Sequence, residues 1–372
     1  TPSNDQGVVP HTEINVTMDA PTPTNSPLIS ILMPVFNTHA PWLEQAIESV
    51  HRQSYENWEL CIVNDHSDDN TLQKILEGFS SPRVHVRRLR KRENIAGATN
   101  EALRMASGRY IAFLDHDDLL TPNALHEVVH AINRSNADII YSDEDFIDVD
   151  GKLTQPHFKP DYSPDLLLAH NYITHFVAIR RELCESLGGL RSGYDGAQDY
   201  DLLLRLTDQV DRTVFHIPKI LYHWRKSEQS TSLNPSAKPL AENNARRALY
   251  ETLKRRQISA TVESGGRSHY FHIHRDTQPE LISIVIPFKD QPGLLRRCIN
   301  AIHKKTTYSD YEIIGISNNS DSPETFALME ELTDLNSRIT FLEHNAPFNF
   351  SSLINLGVVH ASGSQIVSLN ND

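Results

Sequence analysis

Tyr110-Ile111-Ala112-Phe113-Leu114-Asp115-His116-Asp117-Asp118 sets five apolar residues directly against an acidic turn. It reads as a short strand that ends in a row of carboxylates. Upstream, the pattern predicts a helix over 96–106, a strand over 84–89, a helix over 71–79, and a strand over 58–63 closing on the turn Asn64-Asp65-His66-Ser67. Before that come a helix over 41–53 and the near-continuous apolar run Leu28-Ile29-Ser30-Ile31-Leu32-Met33-Pro34-Val35, which reads as a strand buried on both faces. Strands alternating with helices imply right-handed crossovers and a largely parallel sheet. Ligands bind such sheets outside the carboxyl ends of the strands. Asp65 and the residues from Asp115 to Asp118 both follow strands, so they are expected in one crevice.

The same elements recur later in the chain. Leu281-Ile282-Ser283-Ile284-Val285-Ile286-Pro287-Phe288 restates 28–35, and Tyr308-Ser309-Asp310-Tyr311-Glu312-Ile313-Ile314 restates 55–61 at the same offset. Two residues of drift further on, Ala361-Ser362-Gly363 through Leu369-Asn370-Asn371-Asp372 restates Ala106-Ser107-Gly108 through Leu114-Asp115-His116-Asp117. A repeat of this length marks an internal duplication. In the second copy Asn318 stands where Asp65 does, Asn370 replaces Asp115, and Asp372 keeps the last carboxylate. The chain therefore divides into a Thr-, Pro- and Asn-rich tail over 1–26, a complete domain over 27–265, a linker over 266–280, and the first half of a second domain over 281–372.

Composition narrows the possibilities. The 372 residues suit two domains, and 39% hydrophobic with 22% charged residues suits a globular chain with a real core. A formal net charge of −13 argues against a nucleic-acid partner. The longest apolar stretch, 166–179, is broken by His170, Asn171 and His175 and falls short of a membrane span. Three cysteines without metal or disulfide spacing suit a reducing, cytoplasmic setting. The polar N-terminus lacks the pattern of a secretory signal and begins without Met, as a piece of something longer would.

Six elements in order resemble glycosyltransferase family 2: Met33-Pro34-Val35-Phe36-Asn37, Asn64-Asp65-His66-Ser67, Asn94-Ile95-Ala96-Gly97, Asp115-His116-Asp117, Gly196-Ala197-Gln198-Asp199-Tyr200-Asp201, and Leu221-Tyr222-His223-Trp224-Arg225. The resemblance implies the GT-A fold, a Rossmann-like α/β sheet with helices on both faces, followed by a partial second GT-A domain. It implies sugar transfer from UDP- or dTDP-sugars, in the manner of tandem-domain enzymes of bacterial O-antigen or capsule assembly. The acceptor would be a glycan or lipid-linked glycan, met at the inner face of the cytoplasmic membrane by peripheral association.

A departing diphosphate needs its charge neutralised, and Mn2+ or Mg2+ held by carboxylates does this. The resemblance makes Asp117 the direct metal ligand, Asp115 a ribose or metal contact, and His223, placed just after a short strand over 214–221, a late metal ligand. Asp65 would accept from the base's imide N–H, and Pro34, Val35, Asn37, Asn94 and Gly97 would line the nucleotide pocket. Asp199 would be the base that deprotonates the acceptor, and a single base implies inversion; Gln198 stands where the family usually has Glu. Arg225 is a candidate phosphate contact. Asp143 and Glu144, read as part of an acidic turn after a strand over 138–141, are candidate sugar contacts. Other readings of the same residues are helix capping by Asp117, Asp118 and Thr121, an Asx turn at Asp65, and helix-dipole carboxylates at Asp199 and Asp201. Two further functions would use this fold: a non-catalytic carbohydrate-binding scaffold, and a nucleotidylyltransferase. The second would carry a Gly-rich basic loop after the first strand, and 35–41 has neither property.

Overall fold

The structure, a computed structural model, describes residues 25–208, 213–226, 238–276 and 278–372. Most of the expected tail lies outside the described residues. The chain forms two compact units, Thr1–Asp276 and Thr277–Asp372.

In the first unit β1 (Ile29–Val35), α1 (Ala40–His51), β2 (Trp58–Asn64), α2 (Asn70–Gly78), β3 (Val84–Arg88), α3 (Asn94–Met105) and β4 (Tyr110–Phe113) alternate as expected. After the acidic turn come β5 (Leu119–Leu120), α4 (Ala124–Ser135), β6 (Ile139–Ile147), β7 (Leu153–His157) and α5 (Pro164–Ala169). Then follow β8 (Val177–Arg180), α6 (Arg181–Ser186), α7 (Gln198–Leu206), β9 (Val214–Arg225), α8 (Lys238–Arg255), β10 (Ala260–Ser264) and β11 (Phe271–Arg275). The main sheet runs β3-β2-β1-β4-β8-β6-β9-β5, with β7 beside β6. Only its first part, β3 to β4, is uniformly parallel; β8 pairs antiparallel with both β4 and β6. This is the α/β architecture of the GT-A fold.

Period-two alternation explains why β1 reads as continuous apolar sequence. Ile29, Ile31, Met33 and Val35 pack with α1 and α4 residues on one side, while Leu32 joins α3 and α7 residues on the other. Residues 266–280, expected as linker, instead carry β11. It pairs along its full length with β10 and buries Phe271 in the first unit's core.

The second unit holds β12 (Ile282–Phe288), α9 (Pro292–Lys305), β13 (Tyr311–Ser317), α10 (Pro323–Leu335), β14 (Ile339–Glu343), α11 (Phe350–His360) and β15 (Gln365–Ser368). Its strand order, β14-β13-β12-β15, copies β3-β2-β1-β4. Register is copied too: Ile29 faces Trp58 and Tyr110, and Ile282 faces Tyr311 and Gln365.

A buried polar latch is also duplicated. Ser30 Oγ donates to Glu59 Oε1 at 2.6 Å, which also accepts from Ser107 N at 2.6 Å, while Gly108 N donates to Ser30 Oγ at 2.8 Å. Ser283, Glu312, Ser362 and Gly363 repeat these bonds at 2.6, 2.7 and 2.9 Å. Burial alone would raise the Glu59 carboxyl, but these hydrogen bonds outweigh it and hold the group below its usual range. The latch explains the glycines: a Cβ on Gly108 would sit 2.6 Å from Leu28 O, and one on Gly363 2.4 Å from Leu281 O. Gly108→Ala should therefore cost about 2 kcal/mol by overpacking. Gly78→Ala, which meets nothing within 4 Å, should cost nothing. Thermal unfolding checks both, and equal melting of the two variants would refute the tight latch.

Candidate functional site

The turn after β4 is fixed to the distal part of β9. Asp118 is 1% exposed. Its Oδ2 accepts from the Tyr222 hydroxyl at 2.6 Å and its Oδ1 from Arg225 N at 2.7 Å. Arg225 Nε donates to Asp117 O at 2.7 Å, and its guanidinium also donates to Gln45 Oε1 at 2.9 Å. Arg225, expected on phosphate, is thus committed to holding the turn. Helix capping does not account for the acids either: α4 starts after Asn123, which makes no side-chain cap. With Asp118 consumed by structure, the carboxylates of Asp115 and Asp117 remain 44% and 23% exposed.

Negative charge is crowded here. Burial, then the charges of Asp115 and Asp117, push Asp118 well above the usual carboxylate range. Asp115 is raised as well, first by burial and then by Asp117 and Asp199, with the His175 imidazole opposing. A divalent cation would relieve this repulsion. Among the described residues no three His, Cys, Asp or Glu side chains converge as a ready ligand set. Asp115 and Asp117 still suit a hard ion that takes one or two carboxylates and completes its shell with phosphate oxygens and water, the habit of Mg2+.

His223 lies apart from Asp115 and Asp117 in this structure. The strand expected to end at Leu221 continues to Arg225 because β5 and β6 both pair with its far end; Leu119 and Asp145 face His223. Successive side chains on a strand point to opposite faces. Tyr222 reaches Asp118, so His223 turns the other way, pairs through Nδ1 with Asp145 Oδ1, and lines a separate groove beside α1.

Asp199 is the second residue of α7. It lines a cavity of about 80 Å³ together with Pro34, Phe113, Asp115, Thr174 and His175. Carboxylates that follow β4 and begin α7, far apart in sequence, are thus brought to one space. Asn171 Nδ2 donates to Asp199 Oδ2 at 3.0 Å and orients it. Asp201, 1% exposed, is a structural acid instead, accepting from Arg191 Nε at 3.0 Å and Arg205 Nε at 2.9 Å. Gln198 Oε1 accepts from Gly196 N at 2.8 Å, so the residue replacing the family's Glu fixes the loop ahead of the helix.

At the end of β2, Asp65 is 2% exposed, accepts from Glu93 N at 2.6 Å, and is raised mainly by burial. Its own N–H donates to Val35 O at 2.8 Å, joining the ends of β1 and β2. Asn37 and Asn94 adopt φ of 43° and 58°, left-handed values that Asn tolerates. Asn37 exchanges hydrogen bonds with Asp68 at 2.8 and 2.9 Å. Gly97 is required by packing, since a Cβ there would lie 2.4 Å from Glu93 Cβ. In the second unit Asn318 reverses the polarity of Asp65, donating to His344 O at 2.8 Å and Ala346 O at 3.0 Å.

Asp143, Glu144 and Asp145 lie inside β6, not in a turn, and are 2%, 3% and 6% exposed. Asp143 Oδ1 accepts from Lys159 N at 2.9 Å and lies 2.8 Å from His216 Nε2. Glu144 lies 3.2 Å from His157 Nδ1 and 3.4 Å from Lys159 Nζ. Neither lines the cavity shared by Asp115 and Asp199.

Sequence reasoning missed His175. Its ring stacks on Tyr222 at 4.9 Å, with Nε2 3.9 Å from Asp115 Oδ2 and Nδ1 3.4 Å from Glu144 Oε2. Burial would lower its pKa, but Glu144, Asp115 and Asp118 overcome this and raise it to about 9. These carboxylates favour the imidazolium form on the cavity wall. Its signal was the interruption of the apolar stretch 166–179 by His170, Asn171 and His175: Asn171 holds Asp199, and His175 lines the cavity.

Carboxylates gathered from separate strand and helix ends of a GT-A sheet define a glycosyltransferase. Residues 30–188 and 283–372 match the model of glycosyl transferase family 2, and the chain belongs to that family. It is 39% identical, over 94% of its length, to the uncharacterized protein y4gI of Sinorhizobium fredii, and 37% identical, over 93%, to the O-antigen biosynthesis protein RfbC of Myxococcus xanthus. It spans only 39% and 27% of those two proteins. Over 35% of the chain and 51% of the relative, it is 39% identical to WfgD, a UDP-Glc:alpha-D-GlcNAc-diphosphoundecaprenol beta-1,3-glucosyltransferase of Escherichia coli. Staphylococcus aureus TarS 1–349, in complex with UDP-GlcNAc, aligns with a TM-score of 0.48 and 18% identity over 61% of this chain and 72% of TarS.

Proposed function

We propose that the first unit transfers a sugar, with inversion, from a UDP- or dTDP-sugar to a hydroxyl of a growing bacterial surface glycan. The observation that carries this is the single cavity lined by both Asp115 and Asp199. Asp199 takes the proton of the acceptor hydroxyl as its oxygen bonds to the anomeric carbon, and the bond from that carbon to the nucleoside diphosphate breaks on the opposite side. Asp115 and Asp117 would hold Mn2+ or Mg2+, which supplies charge neutralisation to the leaving diphosphate. Asp65 accepts the imide N–H of uracil or thymine, while Pro34, Val35, Asn37, Asn94 and Gly97 shape that end of the pocket. Arg225, Asp143 and Glu144 hold the site's framework. Among the described residues no helix is long and apolar enough to cross a membrane; we place the reaction in the cytoplasm, at the membrane face where lipid-linked glycans are extended.

Thermal-shift measurements with nucleotide sugars test this reading. UDP- or dTDP-sugars should stabilise the protein more in the presence of Mn2+ or Mg2+ than without, and Asp117→Asn should remove the metal-dependent increment. At ligand a hundredfold above Kd that increment approaches about 2.7 kcal/mol. Preference for guanine or cytosine nucleotides would refute the role given to Asp65. Nucleotide binding without any turnover would favour the scaffold alternative, and pyrophosphate release from a nucleoside triphosphate would favour a nucleotidylyltransferase.

A further inference from the structure

Next in the chain to Asn171, which holds Asp199, His170 meets the β10–β11 hairpin, a surface that the family motifs do not include. Tyr270, at the hairpin's tip, stacks on His170 with ring centroids 4.2 Å apart and planes 14° from parallel. His170 ends α5 and is followed by Asn171, the residue that orients Asp199. Asn171, which holds the proposed base, thus follows directly on the residue that Tyr270 stacks against.

The hairpin is fixed in place. Val262 and Phe271 are 6% and 3% exposed in the same core as Leu249 and Leu253 of α8. Ser264 Oγ donates to Glu242 Oε1 and accepts from Arg246, each at 2.7 Å, and Arg275 pairs with Asp165 of α5. At the tip, Gly265 N donates to Tyr270 O at 2.7 Å and Tyr270 N to Arg267 O at 3.1 Å; Gly266 and His269 take positive φ of 76° and 64°. A tight loop anchored this firmly holds its aromatic ring rigidly, yet Tyr270 stays 38% exposed. Beneath it, Asn171 Oδ1 is buried without a hydrogen-bond partner. Buried polar atoms normally find one.

We propose that Tyr270, stacked on His170, is the platform of a saccharide subsite that receives the sugar ring bearing the attacking hydroxyl. This rests on Asp199 being the acceptor's base. A pyranose offers an apolar C–H face that packs on an aromatic ring, and hydroxyls at its edge that hydrogen-bond to amide and imidazole groups. The exposed aromatic surface of Tyr270 suits the apolar face of that ligand.

Saturation-transfer NMR with a panel of methyl glycosides (glucose, galactose, N-acetylglucosamine, rhamnose, glucuronic acid) tests it, with nucleotide thermal shift measured in parallel. At least one glycoside should bind the unaltered protein. Tyr270→Ala should weaken that binding about three- to tenfold, the loss of one aromatic contact, while Tyr270→Phe retains it and both variants keep the nucleotide shift and the melting temperature. Undiminished glycoside binding in Tyr270→Ala, or no glycoside binding by a protein that binds nucleotide, overturns the subsite and leaves the donor reading standing. Tyr270-dependent glycoside binding without any nucleotide shift supports the subsite and overturns the donor reading.

Discussion

Asp199→Asn should lower sugar transfer by about 10²- to 10⁴-fold, the span typical of losing a positioned general base. The amide keeps the carboxylate's shape and can still accept from Asn171 Nδ2, now 3.0 Å from Asp199 Oδ2. Basicity is removed while geometry is kept. Nucleotide binding should be unaffected, because the proposed nucleotide contacts Asp65 and the loop at Asn37 do not line the cavity that Asp199 lines. The loss should therefore appear in kcat, with the thermal shift from UDP- or dTDP-sugar intact. Asp201→Asn gives the contrast: it leaves Arg191 and Arg205 short of a buried acceptor, so it should lower the melting temperature before it alters the chemistry. Turnover in Asp199→Asn within a factor of about three of the unaltered protein, well under the usual base effect, would remove Asp199 from the mechanism.

The parallel half of the sheet was legible because its determinants are local. Apolar runs, amphipathic helices and turn residues follow one another without interruption from Leu28 to Leu114, and the repeat over 281–372 reads them out a second time. The acceptor half was less legible because its strands carry polar residues. Asp143, Glu144 and Asp145 look like a solvated turn until their partners, His216, Lys159, His157 and His223, arrive from elsewhere in the chain. His-Trp-Arg at the end of β9 looked like a loop for the same reason. Once that strand is extended by its pairing with β5 and β6, Tyr222 meets Asp118 and His223 meets Asp145. The resemblance singled out Asp115 and Asp117; tertiary pairing shows what Asp118 does, which is to build the turn, while Asp115 lines the cavity.

Lys159→Met should cost the first unit about 3 kcal/mol, the usual result of breaking a buried ion pair from one side. Lys159 is fully buried, with Nζ 3.4 Å from Glu144 Oε2 and 3.1 Å from Ile173 O, and it also donates to His175 O. Met fills the space but leaves those carbonyls without a donor and Glu144 without its ammonium. Burial lowers the Lys159 pKa to about 8 against the pull of Glu144, so the group is still a cation at neutral pH. Glu144 resists burial better, because His157 and His175 add to Lys159 and hold it well below the usual carboxylate range. A depressed carboxyl contributes stability that is present above its unfolded value, about 4.3, and is lost as pH falls through the folded one. Without Lys159 that contribution shrinks, so the gap between variant and unaltered protein should narrow below about pH 4.3. Glu144→Gln with Lys159→Met should cost less than the two single changes summed, by about 1 kcal/mol or more, as coupled partners do. Additive costs, or a single-variant loss under about 1 kcal/mol, would mean that the pair does not brace the loop. Because Lys159 holds the backbone on both sides of Thr174, and Thr174 and His175 line the cavity, the destabilised variant should also lose activity before it unfolds.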